Sequence, residues 1–433
     1  MFKLEFNNSY FEQSKSVCHD IINLHRSITG KGIDDAFTHL KNFIDCNIHE
    51  YKSGTKCLDW IIPSSWEFNT LKVVNITTGK DFITFDHPLR VASHSKSFHG
   101  IISGSNLKKR CSFAGQVINA LPHQYLYYND DWRLSVTQDE YRSIVESDDY
   151  LVDLNTTLYD STLKIAESNS KDSNSPTFAF LSHLCHPAQF NDGLVGVLTN
   201  IYLYKLITDQ KTRYNYKFLF MPETIGSIAY CSNTSNLSNI LSCIFTEMTA
   251  LSSTLHLQRS NDDNDFINNY AILASKCLQL NMKSSPFLGV IRNDEKVFNS
   301  PGIEIPSISI TRALGRQFKN HPFKNYHTSF DTMENANFNK LIEALLLLQK
   351  IIEIIENDYV IERKFSGIPM LSRHGLFYSP KENRSMYNLT EKIAMSLDKP
   401  LKISDIAIKL DENFETVYSV LSSWKSKDLV TFI

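Results

Sequence analysis

Beyond about residue 150 the sequence alternates short apolar runs of strand length with longer runs of helical period, and few folds satisfy that order. LVDLNTTL and LKIAES read as strands, TFAFLSHL as a buried strand and LVGVLTNIYLYKLI as a helix. KFLFMPE is a further strand, NILSCIFTEM runs on similarly, and PSISITRA precedes the long helix NKLIEALLLLQKIIEIIE. Alternation of this kind implies an α/β fold, a mixed sheet with helices on both faces. Upstream, residues 11–45 read as helical around a turn at Ser27–Gly32, and residues 47–146 as short β-rich runs broken by TTGK and DHP. After Pro369, MYNLTEKIAMSL, ISDIAIKL, FETVYSVLSSWKSK and DLVTFI give three helices and a terminal strand, which is winged-helix order. With roughly 100–200 residues per domain, a chain of 433 residues has room for several domains.

Charge and cysteine usage narrow the partners. A formal net charge of −3 gives no general attraction to nucleic acid or anionic lipid. Acidic and basic side chains cancel over residues 381–433, and ETVYSVLSSWKSK carries only Lys425 and Lys427 near its end. Phosphate contacts dominate DNA affinity, so no nucleic acid is expected, and the tail reads as a protein-contact or substrate-lid module. Leu341–Ile355 includes Glu343, Lys350 and Glu353, which makes it an amphipathic core helix rather than a membrane span. MFKLEFNNSY lacks the features of a secretory signal, and the eight cysteines contain no CxxC pair. Reduced thiols and a cytoplasmic location are expected. A homodimer is compatible with two accessory segments.

No GxxxxGK[ST], HExxH or GxSxG occurs in the chain. What remains is SHLCHPAQFND at 182–192, directly after the strand TFAFL. Open α/β sheets place ligands at the C-terminal ends of their strands. His183, His186 and Asp192 could supply two of the three protein ligands that catalytic zinc commonly takes. The histidines could equally cap a strand-end turn. Three further polar clusters flank expected strands: Tyr326–Thr332, Glu223 in MPETIG, and Arg292–Lys296. Polar residues confined to strand ends look like a site.

This arrangement resembles the bacterial zinc aminopeptidases of the leucyl-aminopeptidase type, peptidase clan MH, whose landmarks run HxD, DN, EE, D or E, SDH and HT. It is more similar still to a divergent branch that carries THxCHPxxxND, an inserted β-rich domain of unknown function and a C-terminal winged helix, and that often occurs among surface-polysaccharide genes. SGTKCLDWIIPSSW at 53–66, LPHQYLYYNDDW at 121–132, RSITGKG at 26–32 and SRHGLFY at 372–378 extend the likeness over nearly the whole chain. The resemblance implies an aminopeptidase-like (phosphorylase/hydrolase-like) catalytic domain at 1–46 and 147–365, the insert at 47–146 and the winged helix at 366–433. It implies a zinc-dependent amide hydrolase acting on a small peptide or acylated amine. Asp192 and His327 match metal ligands, Glu223 the general base that deprotonates metal-bound water, and Tyr326 a tyrosine that steadies the oxyanion. Zinc chemistry of this kind needs a carboxylate to shuttle the proton and a hydroxyl to donate to developing charge.

The chain also departs from that pattern. Thr224 stands at the second glutamate of EE, and Cys185 at the aspartate of HxD. A lost carboxylate weakens one metal position, so one zinc per chain is expected. His186 is favoured as the ligand, with His183 beside it or facing the substrate. Glu247 falls where an acidic ligand belongs, or is a strand-end surface carboxylate. Asp294 and Glu295 could bind metal or a substrate amine, or cap a turn. Arg26 suits a substrate carboxylate, or forms a surface salt bridge. Asp331 orients the His327 ring or caps the following helix. Cys185 supports the site, ligates metal, or is a thiolate nucleophile. His94, His99 and His123 could reach the site, with surface or core positions the default. Two other functions compete with the hydrolase: a degenerate enzyme that binds a ligand or partner without turnover, and a winged-helix regulator with a metabolite-sensing domain.

Overall fold

The computed structural model describes residues 1–171, 174–235, 237–314 and 321–433. Its chain divides into two compact units, one formed by Asn7–Asp262 and Lys283–Ile342, the other by Met1–Phe6, Asp263–Met282 and Glu343–Ile433. The first unit opens with helices α1 (Asn8–Ile21) and α2 (Lys31–Lys41) and strand β1 (Asn47–Lys52). The longer strands that follow are β2 (Ser65–Asn75), β3 (Lys80–Thr84), β4 (Phe98–Ser103) and β5 (Asp149–Tyr159). Then come β6 (Thr162–Asn169), β7 (Thr177–His183), α3 (Val195–Ile207) and β8 (Asn215–Met221). They lead to α4 (Ile225–Asn233), β9 (Ile240–Thr246), β10 (Leu255–Gln258) and, in the second unit, α5 (Phe266–Cys277). β11 (Met282–Ser285), β12 (Ser307–Thr311) and the long helix α6 (Phe338–Asn357) complete the series.

Eight of the described strands form one mixed sheet in the order β1-β6-β8-β7-β9-β12-β10-β11. Its middle, β8-β7-β9-β12, is parallel, whereas β1-β6, β6-β8 and β12-β10 are antiparallel. β7 and β8 are buried at every position, the reason TFAFLSH and NYKFLFM read as continuous apolar runs and not as alternating ones. α3 is buried along nearly its whole length, and Gly196 makes this possible: a Cβ there would lie 2.3 Å from the Thr246 carbonyl oxygen at the end of β9.

The second sheet has the order β3-β2-β5-β4 and is antiparallel throughout. In β5 the alternation is plain: Tyr150, Val152 and Leu154 point into a core with Trp66, Leu71 and Val73, while Asp153 and Asn155 stay exposed. Two strands fall on the other side of the limits expected from sequence. β1, at the start of the β-rich stretch, hydrogen-bonds to β6 in the large sheet, and β5, beyond its end, pairs with β2 and β4.

In the second unit, β13 (Val360–Arg363), α7 (Arg384–Ser396), β14 (Leu401–Lys402), α8 (Ile403–Leu410), α9 (Phe414–Ser426) and β15 (Val430–Phe432) follow in order. Their three strands form a sheet in the order β14-β13-β15. Buried Asp358 fastens this unit, accepting from the Ser404 N–H and hydroxyl and from the Tyr270 hydroxyl, each at 2.8 Å. No helix among the described residues is long and apolar enough to cross a membrane.

One charged network crosses the large sheet. Lys217 on β8 and Glu167 on β6 are buried 2.9 Å apart, and the Tyr230 hydroxyl of α4 donates to Glu167 at 2.8 Å and accepts from Lys217 at 2.8 Å. Burial alone would lift the Glu167 carboxyl, but His49, Lys217 and Asn169 together hold it well below the ordinary value. Breaking a buried pair strands the remaining charge at about 3–5 kcal/mol. Lys217→Met should therefore destabilise the protein by about that amount in urea titration. Wild-type stability should fall once the pH drops below ~4.3, the ordinary glutamate value, because a depressed carboxyl stabilises the fold only while ionised.

Candidate metal centre

The C-terminal ends of β7, β8 and β9 deliver the polar residues. β7 ends on His183, β8 is followed by Pro222-Glu223-Thr224, and β9 by Glu247-Met248. The turns that bring these side chains inward are strained. Ala188, Thr224, Met248 and His327 all adopt the left-handed region, at φ between 50° and 60°, where residues with a Cβ are disfavoured. Such outliers cluster where surrounding structure over-determines the backbone, commonly at functional sites. Gly193, at φ 121°, is dictated twice over, since a Cβ there would also meet the His183 ring at 3.2 Å.

Hydrogen bonds hold each turn. Asp331 accepts from the Asn191 N–H at 3.0 Å, the Asn191 side chain at 3.1 Å and the Asp192 N–H at 2.9 Å. The Met248 N–H donates to the Asn191 carbonyl at 2.9 Å, tying the Glu247 turn to the Asp192 loop. Asp294 accepts from the Thr224 N–H at 2.8 Å and from the Ser227 hydroxyl, and so fixes the turn that carries Glu223. Cys185 Sγ accepts from the Glu223 N–H at 3.3 Å and lies 3.3 Å from His186 Nδ1.

Three groups of donors result, and His183, Cys185 and His186 form one of them. In the second, His183 Nε2 is 3.3 Å from Glu247 Oε2 and 3.6 Å from Asp192 Oδ1, and Asn293 donates to Glu247 at 2.9 Å. In the third, the rings of His123, His186 and His327 lie 4.8–5.3 Å apart, centre to centre. Within each group the donor atoms fall within 4.8 Å of one another. Asp192 touches the second and the third, its Oδ2 being 2.9 Å from His327 Nε2. Glu223 faces His186 Nε2 at 3.4 Å.

The electrostatics are those of a desolvated site. Burial pushes His183 down to about 4 and holds His186 and His123 well below the ordinary histidine value, with the neighbouring imidazoles adding to the effect on the latter two. It lifts Glu247 well above the carboxylate range and Glu223 to about 8, each helped by the Asp192 charge. Asp192 itself is lifted by burial but held below its ordinary value by the surrounding imidazoles, His327 first. Buried Asp331 rises to about 7 and Asp294 to about 6.

These residues fit a zinc ion. Both ring nitrogens of His123, His183 Nδ1, His327 Nε2 and Asp192 Oδ2 are buried without hydrogen-bond partners. His327 and Asp192 approach closely yet lack hydrogen-bond alignment. Each orphaned group costs about 1–3 kcal/mol, and a cation ligated by nitrogen and oxygen atoms relieves several at once.

The other residues singled out in the sequence take different places. His183 and His186 lie side by side, ring centres 4.8 Å apart, and share a donor group with Cys185, while each also belongs to another group. Arg26 is neither a surface ion pair nor a lining residue of the cleft: it is fully buried and donates to the Leu184 carbonyl at 2.6 Å. Glu295 is also fully buried and accepts from Gln258 and the Asn293 N–H, each at 3.1 Å, so it supports the loop instead of binding an amine. Asp294 grips the Thr224 turn, and Asp331 holds the Asp192 loop; Asp331 neither orients His327 nor caps α6, which begins seven residues later at Phe338. Tyr326 stacks on His327 with ring centres 3.9 Å apart. His123, for which the sequence allowed a place at the site but favoured a surface or core one, lies beside His186 and His327. It lies in LPHQYLYYNDDW, a landmark whose spatial neighbour is more than 200 residues away, so local spacing carries no signal for it.

Two cavities meet at Glu223 and Tyr326. One, of about 390 Å³, is walled by Trp60, Tyr125, Tyr127 and Tyr128; the other, of about 430 Å³, by Met248, Leu288 and Ile291. A larger space of about 720 Å³ shares Trp60 and Tyr128 but contains none of the donors.

Comparison with known proteins agrees with this layout. Residues 15–358 match the family model described as "Domain of unknown function (DUF4910)". A Clostridium acetobutylicum protein named "Putative polysaccharide biosynthesis protein with aminopeptidase-like domain" is 29% identical over 391 residues, 86% of either chain. The crystal structure of a "putative peptidase" from Clostridium acetobutylicum superposes with a TM-score of 0.86 at 25% identity, covering 98% of both chains. BSAP, a zinc aminopeptidase from Bacillus subtilis, superposes with a TM-score of 0.61 at 11% identity, over 82% of this chain and 96% of that one. The large mixed sheet with its helices is thus an aminopeptidase-like fold.

Partners behind metal ligands typically contribute 10–100-fold to affinity. Asp331→Ala should weaken zinc binding by roughly that factor in a competition titration, with the circular dichroism spectrum retained; unchanged affinity would remove its positioning role.

Proposed function

Since the chain belongs to the DUF4910 family and has an aminopeptidase-like fold, we propose that it is a zinc-dependent amide hydrolase acting on a small peptide or acylated amine. The observation that carries this reading is Glu223, a carboxylate on the wall shared by both cavities and beside the donor groups. His183, Asp192 and Glu247 would hold the zinc, whose chemistry when bound is to polarise a carbonyl and bring the pKa of water toward ~7.

The residues of the chain do the rest. Glu223 takes a proton from the attacking water and passes it to the departing amine. Its side chain keeps 30% exposure to the cleft, while its raised proton affinity suits a group that must both accept and release. The Thr224 turn and Asp294 hold that carboxylate in place. The Tyr326 hydroxyl, lining the same two cavities, donates to the oxygen that gains charge. Trp60, Tyr125, Tyr127 and Tyr128 form an aromatic wall, with Tyr125 and Tyr127 stacked at 4.7 Å, that suits a ring-bearing substituent. The name of the Clostridium relative makes acylated amino sugars a natural part of any substrate panel. The balanced charge and three-helix order of residues 381–433 support a winged-helix module for protein contact.

Thr224 and Cys185, which stand where carboxylates were expected, favour one other reading, a ligand-binding protein without turnover. A panel of aminoacyl and acylamino-sugar amides separates the two. Turnover by the zinc-loaded protein, reduced about 10²–10⁴-fold in Glu223→Gln with zinc content unchanged, is the expected result. Full activity in that variant would remove Glu223 as the base, and no turnover of the panel by wild type would favour the binding protein.

A further inference from the structure

We infer that the cleft takes a negatively charged substrate, an acylated amine whose amine half carries a ring and a carboxylate, and that Lys296 reads that carboxylate. This rests on the hydrolase reading and names its substrate class. Three observations carry it.

The first is the charge of the cleft. Glu223 and Tyr326 belong to both cavities, so an amide held between them sends one half into each. Of the side chains lining the cavity of about 390 Å³, Lys296 carries the one fixed positive charge and Glu223 is the one carboxylate. The cavity of about 430 Å³ adds Arg292 and Glu247. Glu223 and Glu247 are both engaged by the proposed reaction, so neither cavity has a spare carboxylate for a substrate ammonium. Asp294 and Glu295, next to Lys296 in sequence, are fully buried and hold loops. Thr224 lines the same cavity as Lys296 and is a neutral hydroxyl where a carboxylate was expected.

The second is that Lys296 has binding capacity left. An ammonium has three N–H donors. Half-buried Lys296 uses one on the Arg292 carbonyl at 3.1 Å, and no carboxylate among the described residues stands within ion-pair distance of it. Its charge reaches the base all the same. Burial, Asp192 and Asp294 push the Glu223 carboxyl up, and Lys296 pulls it down. A cation with free donors therefore lies beside the place where the amide reacts.

The third is the distribution of rings. Trp60, Tyr125, Tyr127 and Tyr128 line the cavity that contains Lys296, whereas Met248, Leu288 and Ile291 line the other. A ring and a carboxylate on one half of the substrate meet ring faces and an ammonium together, and the acyl group falls against aliphatic side chains. A lone ammonium, a compact point charge, suits a singly charged carboxylate.

The test is calorimetric titration of the full chain, purified with zinc in the buffer, with three probes that share a ring and spacer and contain no amide: phenylpropanoate, phenylpropanol and phenylpropylamine. Wild type should bind the carboxylate about 10-fold more tightly than the alcohol, the scale of a hydrogen bond to a charged group, and the amine most weakly. Lys296→Met should abolish the gap between carboxylate and alcohol, Lys296→Arg should keep it, and Lys296→Glu should make the amine the best ligand. A carboxylate preference that persists in Lys296→Met overturns the proposal, because the metal then reads the anion. Equal binding of the three probes by wild type, preference for the amine, or no binding of any of them overturns it as well. Hydrolysis of N-acetylphenylalanine is followed separately. Its absence with the binding order intact removes the hydrolase reading and leaves the anion site; hydrolysis faster than that of N-acetylphenylalaninamide supports both.

Discussion

The structure depends on the burial of more polar donors at one sheet edge than the protein can satisfy by itself. His123, His183, His186, Asp192, Glu247 and His327 converge at the ends of three parallel strands, and several of their atoms have no partner. Keeping them there is unfavourable in every respect that matters: desolvation, like charges and left-handed backbone at four turns. The surrounding fold supplies what holds them. Continuous apolar strands fix the ends, Asp331 and Asp294 clamp the turns, and the close approach of α3 at Gly196 locks the helix that follows the Asp192 loop. Under the proposed reading, a cation at this place would relieve several of these groups at once.

The small antiparallel sheet has its own core of Trp66, Leu71, Tyr150 and Val152, so its strands do not need the large sheet to bury their apolar faces. Its long connection from β4 to β5 is free to reach elsewhere. That connection carries His123, Tyr125, Tyr127 and Tyr128 to the cleft, where they form a wall and contribute imidazole. The same stretch of chain thus supplies both the aromatic wall and a buried imidazole beside the donor groups.

Much of this was legible in the sequence. The buried strands β7, β8, β9 and β12 announce themselves as unbroken apolar runs, and the placing of SHLCHPAQFND after one of them gives His183, His186 and Asp192 by local reasoning. Glu223, Glu247, Tyr326 and His327 follow from landmarks at other strand ends. What was not legible is long-range. α4, β10, α5 and β11 lie in stretches whose short or mixed patterns signal neither period strongly. β1 joins the large sheet and β5 the small one because of partners far along the chain, not because of their composition. Arg26 and Glu295 look like surface charges until packing buries them, and His123 meets His327 only through the fold.

Anomalous diffraction at the zinc absorption edge, from crystals grown with zinc, tests the metal centre most directly. Density is expected within the donor cluster, bounded by His183, Asp192 and Glu247. Crystals that diffract well and show no anomalous peak among these residues would contradict it.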